Sequence, residues 1–135
     1  MSMAAKTAED WLRSGDVYLQ EAQALWSRPN ARELVLTCLV HAAERYLSAA
    51  LAAKSLPVAP ATELPELVAA VEDAGYDVLF FAGHVVELTT CFADSRLGFL
   101  PDDIGWDRLE TLKKPVERLR DALFPKPHHA ETYSG

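Results

Sequence analysis

Cysteine is scarce in this chain. Cys38 and Cys91 are the only two, they stand in separate apolar stretches, and neither belongs to a Cys-x-x-Cys or Cys/His ligand spacing. That excludes a disulfide framework and a zinc ribbon, and predicts two buried free thiols suited to a reducing compartment. Also missing are a glycine-rich phosphate loop, a nucleophile elbow and a Cys/His dyad, and with them the chemistries those motifs serve. Positive charge is short. Thirteen Lys and Arg against twenty Asp and Glu leave a net charge of −7, a field that repels phosphate backbones. The one basic cluster, Lys113, Lys114, Arg118 and Arg120, alternates with Asp107, Glu110, Glu117 and Asp121, which predicts a salt-bridged, solvated helix face. There is no uninterrupted apolar run of membrane-spanning length, because His41, Glu44 and Arg45 break the longest one. Met1 to Asp10 lacks the apolar core of a signal peptide, so the expectation is a cytoplasmic protein, neither exported nor membrane-spanning. No strand-like alternation and no internal repeat is visible.

What remains is ordinary globular material, 50% hydrophobic and 24% charged over 135 residues. A chain of that length buries roughly two thirds of its unfolded surface in one core without a staple. The expected organisation is one domain over 1–125 and a disordered tail over 126–135, where no hydrophobic period continues.

The apolar residues recur at helical spacing. Thr7 and Asp10 form a capping arrangement before Trp11, Gly15, Tyr18, Ala22 and Leu25. Arg28-Pro29-Asn30 ends that first helix, and Asn30 with Glu33 resembles the N-cap of a second one reaching about Ser55. The second helix is the most telling segment. Leu36, Val40, Ala43, Leu47, Ala50 and Leu51 fill one side, while Thr37, His41, Glu44 and Ser48, spaced four, three and four, draw a thin polar line along an edge. A helix apolar on most sides must lie inside a bundle. Its small residues, Cys38, Ala42, Ala49 and Ala53, offer a face for close approach by another helix, from this chain or a second copy. Three prolines in LPVAPATELPEL delay a short third helix to about Thr62, and Gly75 stops it. Asp77 is placed to cap a fourth helix through Val78, Phe81, Val85, Leu88 and Phe92. Trp106, Leu109, Leu112, Val116, Leu119 and Leu123 mark a fifth, with a kink expected at Pro115. The predicted fold is all-α, an antiparallel up-and-down bundle of four long helices plus one short one.

With the helices placed, TCLVHAAERYLSAAL resembles the signature helix of the HEPN family, in which such a helix follows an aromatic-rich first helix. The family's Thr-His-Asp-Leu type motif aligns with Thr62-Glu63-Leu64-Pro65-Glu66-Leu67, and its closing Arg-Tyr-Pro motif with Ser95-Arg96-Leu97-Gly98. The resemblance implies a helical bundle that often dimerises, found in RNA-cleaving toxins, in partners of minimal nucleotidyltransferases and in nucleotide-binding accessory domains. Catalytic members carry a histidine separated from the arginine by four to six intervening residues, to move a proton beside an arginine that stabilises the phosphorane. Beyond Arg96 those positions hold Pro101, Asp102 and Asp103, and the carboxylates would repel RNA. The implied protein is therefore a non-catalytic, homodimeric interaction protein, with a nucleotidyltransferase as the partner class and no cofactor. A nucleotide-binding version would use Arg45 or Ser48, where the family's frequent lysine falls, together with Arg96. It is weakened because Glu63 stands at the motif's histidine position.

Two alternatives stay open. His41-x-x-Glu44 and His84-x-x-Glu87 each place a metal-ligand pair on one helix face, and facing helices could join the four into a site for Zn, Mn or Fe. The plain reading is that each pair is hydrogen-bonded locally. A residual ribonuclease using His41 or Arg96 in another geometry is the second. Trp11, Trp26 and Trp106 have acidic or aliphatic neighbours and are expected in packing rather than base stacking.

Overall fold

A computed structural model describes residues 7–58, 63–96 and 105–125, with the backbone alone over 92–96. Every regular element in it is a helix: α1 (Ala8–Ala24), α2 (Arg32–Ala53), α3 (Leu64–Asp73), α4 (Leu79–Arg96) and α5 (Trp106–Leu123). The stretch 98–102, which the sequence marks as a loop after the fourth helix, and the tail from 126 lie outside the described residues.

The helix ends follow local chemistry. At α1, the Asp10 N–H donates to Thr7 Oγ1 and the Thr7 N–H to Asp10 Oδ2, each at 3.1 Å, so the expected capping box is present. At α2 the expectation fails. Asn30 does not cap; it takes left-handed backbone at φ 63°, which asparagine tolerates, and buried Ala31 stands at the N-cap without a side-chain bond. The α3 start is secured by Glu66, which accepts from the Glu63 N–H at 3.1 Å, and Pro65 sits in the first turn, where its missing N–H is not needed. Gly75 ends α3 at φ 102°, a conformation other residues rarely adopt. Asp77 Oδ1 accepts from the Leu79 N–H at 3.4 Å, at the position expected for the α4 cap.

The second helix is the centre of the fold, packed against each of the other four and most extensively against α1. Its predicted apolar side is buried throughout, and Val35, Cys38, Leu39, Ala42, Tyr46, Ser48 and Ala49 are buried as well. Most of α2's apolar span lies inside the protein, so its length and hydropathy, sufficient to cross a membrane, are those of a core helix. The small-residue face serves this chain's own packing: Ala42 and Ala49 are fully buried, whereas Ala53 is exposed.

Gly15 sets the approach of α1. A Cβ built there would fall 2.6 Å from Cε1 and 2.7 Å from Cδ1 of Tyr46, so only glycine lets the Tyr46 ring come this close to the α1 backbone. Val78, Phe81, Val85 and Leu88 bring α4 into the same core, and Leu109, Leu112, Val116, Leu119 and Leu123 bring α5. Trp26 and Trp106, partly buried against this core, lie with their rings tilted and their centroids 5.4 Å apart.

Candidate functional site

Along the α1/α2 seam the polar line of α2 meets the aromatic residues of α1. Thr37 donates to its own helix, to the Glu33 carbonyl at 2.9 Å. His41 Nδ1 and Glu44 Oε1 lie 2.9 Å apart, so the imidazole is oriented by its neighbour three residues on, and Tyr18 places its ring centroid 5.2 Å from that of His41. The guanidinium of Arg45 lies 5.6 Å from the Trp11 ring centroid and 5.5 Å from that of Tyr18, within cation–π range of both. Its Nε is buried and meets no hydrogen-bond partner among the described residues, where it also forms no ion pair. Ser48 is 3% exposed, deep in the core. Of the three residues expected at a ligand site, Arg45 is held by rings and Ser48 is enclosed. Arg96 is the last residue of α4, and its side chain lies outside the described residues.

A second polar cluster was not anticipated. Tyr46 donates to Asp16 Oδ1 at 2.7 Å, and Arg120 donates to the same carboxylate through Nε at 2.9 Å and Nη2 at 3.2 Å. This joins α1, α2 and α5, although among the described residues the α1 and α5 backbones do not pack directly. Burial, together with the bond to Asp16, pushes the Tyr46 phenol well above its ordinary range, and that bond raises the Arg120 guanidinium. Each partner is satisfied by the others, so the triad has the character of a structural clamp rather than a reactive group. A sequence signal for it existed. Asp16 sits between Leu12 and Leu19 on the inward face of α1, and Arg120 follows buried Val116 by one turn.

The two His-x-x-Glu pairs take separate partners. His41 and Glu44 bond each other, and Glu87 pairs with Arg108 of α5. Among the described residues no three His, Cys, Asp or Glu side chains converge as a metal would need. His84 faces α5 in a groove with Lys114 and Arg118. Both cysteines are buried, and burial, with Glu21 nearby, raises the Cys38 thiol.

The outer side of α4 is unusual. Leu79 is 71% and Val86 70% exposed, and Gly83 and Thr90 are exposed on the same line. The spacing of four, three and four places all four on one face, and none carries a charge. Compared with known proteins, the chain matches no family model, no curated protein and no solved structure.

Proposed function

We propose that this chain is a non-catalytic, homodimeric interaction protein of the cytoplasm, an antiparallel up-and-down bundle of the HEPN kind whose dimer holds a nucleotidyltransferase-type partner. The observation that carries the dimer is the uncharged outer line of α4, Leu79, Gly83, Val86 and Thr90. Two exposed branched aliphatics flanking a glycine give a surface on which a second helix can approach closely and bury apolar area, with no charge to desolvate. In an isologous pair the same line meets its own copy, so the lack of like charges removes repulsion across the twofold axis.

The HEPN part rests on the signature helix, and the central, buried position of α2 agrees with it. Non-catalysis rests on Pro101, Asp102 and Asp103 standing where ribonucleases of that family hold a histidine. A nucleotide-binding role at Arg45 and Ser48 has less support, since two rings already engage the guanidinium and the hydroxyl is enclosed. Light scattering across micromolar concentrations tests the proposal: a dimer mass supports it, and a concentration-independent mass of 14.9 kDa refutes it.

A further inference from the structure

Between α4 and α5 the surface opens into a groove of about 320 Å³, lined by Phe80 and His84 on one side and Thr111, Lys114, Pro115 and Arg118 on the other. The chain carries an excess of seven negative charges, yet among the described residues this lining holds two fixed cations, an imidazole and no carboxylate. Helical spacing makes the groove: Thr111, Lys114 and Arg118 follow at three and four residues along one edge of α5, and Phe80 and His84 at four along α4. Buried Pro115 and half-buried Phe80 supply an apolar floor.

A solvated face would satisfy these cations with carboxylates one turn away, and the observed pairs go elsewhere. Glu87 pairs with Arg108 and Glu110 with Lys113. Lys114 forms no ion pair among the described residues, and Arg118 lies over the Phe80 ring, 4.2 Å from its centroid, at the rim of the groove. Asp107, Glu117 and Asp121, the other acids of α5, do not line it. Thr111 gives its hydroxyl proton to the Asp107 carbonyl at 3.1 Å, which leaves Lys114 and Arg118 as the donors. At physiological salt, charges beyond about 8 Å are largely screened, so the local pair outweighs the net charge of the chain.

We infer that this groove binds a small phosphate-bearing anion. Lys114 and Arg118 hold the phosphate, His84 faces it from the opposite wall, and an apolar part of the ligand rests on Phe80 and Pro115. A dianion suits two cations, and the guanidinium fork matches phosphate oxygens, whereas a single carboxylate leaves one cation unneutralised. Cavities of about this size hold small ligands. The site does not depend on dimerisation, because Phe80 and His84 each follow a residue of the outer line, Leu79 and Gly83, by one position, about 100° around α4.

The test is a titration of the full chain with inorganic phosphate and, separately, with phenyl phosphate, followed by amide NMR at constant ionic strength set with sodium chloride. Saturable shifts centred on His84, Thr111, Lys114 and Arg118 are expected. Lys114→Gln/Arg118→Gln should weaken binding roughly tenfold, from the loss of two exposed ion pairs. Lys114→Gln alone, which keeps the Arg118 stack on Phe80, should weaken it severalfold. Tighter binding of phenyl phosphate assigns the site to a phosphate ester, and equal binding to free phosphate. Shifts that never saturate, or an affinity unchanged in the double variant, would overturn the proposal.

Discussion

Replacing Gly15 by alanine should destabilise this protein, against the usual sign for a glycine inside a helix. On an open helix that change gains up to about 1 kcal/mol from backbone entropy. Here the added methyl meets the body of the Tyr46 ring, at 2.6 Å from Cε1, 2.7 Å from Cδ1 and 3.2 Å from Cζ. The ring has little room to yield, since Tyr46 is fully buried and its hydroxyl is held by Asp16, the residue after Gly15. Overpacking of this kind costs about 1–3 kcal/mol, and loosening the Tyr46–Asp16 bond adds about 1 kcal/mol. After the helical gain is subtracted, the net loss is about 1–3 kcal/mol, or roughly 3–10 °C in Tm for a chain of this length. Gly83→Ala, measured at a concentration low enough to keep the chain monomeric, is the internal control, because no described residue lies within 4 Å of a Cβ built there. It should hold or gain stability, by up to about 1 kcal/mol. Urea unfolding of both variants, followed by circular dichroism, gives the comparison. Equal behaviour, or a more stable Gly15→Ala protein, would refute the close packing of α1 on Tyr46.

Asp16→Ala should cost about 2–3 kcal/mol, because it leaves the buried Tyr46 hydroxyl unpaired and cuts the link to Arg120. In Asp16→Ala/Tyr46→Phe the loss should be less than the sum of the single losses, and strict additivity in urea unfolding would contradict the clamp. Tyr46 is neutral in the fold and its ionisation is pushed up, so its contribution to stability is complete below the unfolded tyrosine range near about pH 10 and is lost as pH rises above it. Alkaline titration at 295 nm should therefore show one tyrosine ionising only as the helices melt, and Tyr46→Phe should remove that step. Thr89 Oγ1 is buried with no hydrogen-bond partner among the described residues, so the isosteric Thr89→Val should stabilise by about 1 kcal/mol. A loss in thermal unfolding would show that the hydroxyl has a partner.

Much of the fold can be read along the chain because its determinants are local. The Thr7/Asp10 box, the Gly75 stop, the Asp77 cap and the apolar stripes of α2 and α5 each depend on residues within a turn or two. Asn30 misleads because the same side chain suits an N-cap and a left-handed turn, and Ala31, buried against the core, takes the cap position instead. The polar contacts are harder to read. Asp16 and Arg120 are 104 residues apart, and Arg120 looks like one more member of an alternating charged face until α5 is docked. Arg45 is similar: Trp11 and Tyr18, seven residues apart on α1, flank it only once the α1/α2 register is known. The groove at Lys114 and Arg118 departs from the expected salt-bridged face because Glu110 turns to Lys113 and Glu87 to Arg108.

Sedimentation velocity of the wild type, Val86→Glu and Val17→Glu at one concentration in the tens of micromolar tests the proposed dimer most directly. Val17, 53% exposed on α1, is the control for a charge placed on an exposed valine away from α4. The wild type and Val17→Glu should sediment as dimers, and Val86→Glu as a 14.9 kDa monomer. A monomeric wild type, or a Val86→Glu protein that still dimerises, would contradict assembly through the outer face of α4.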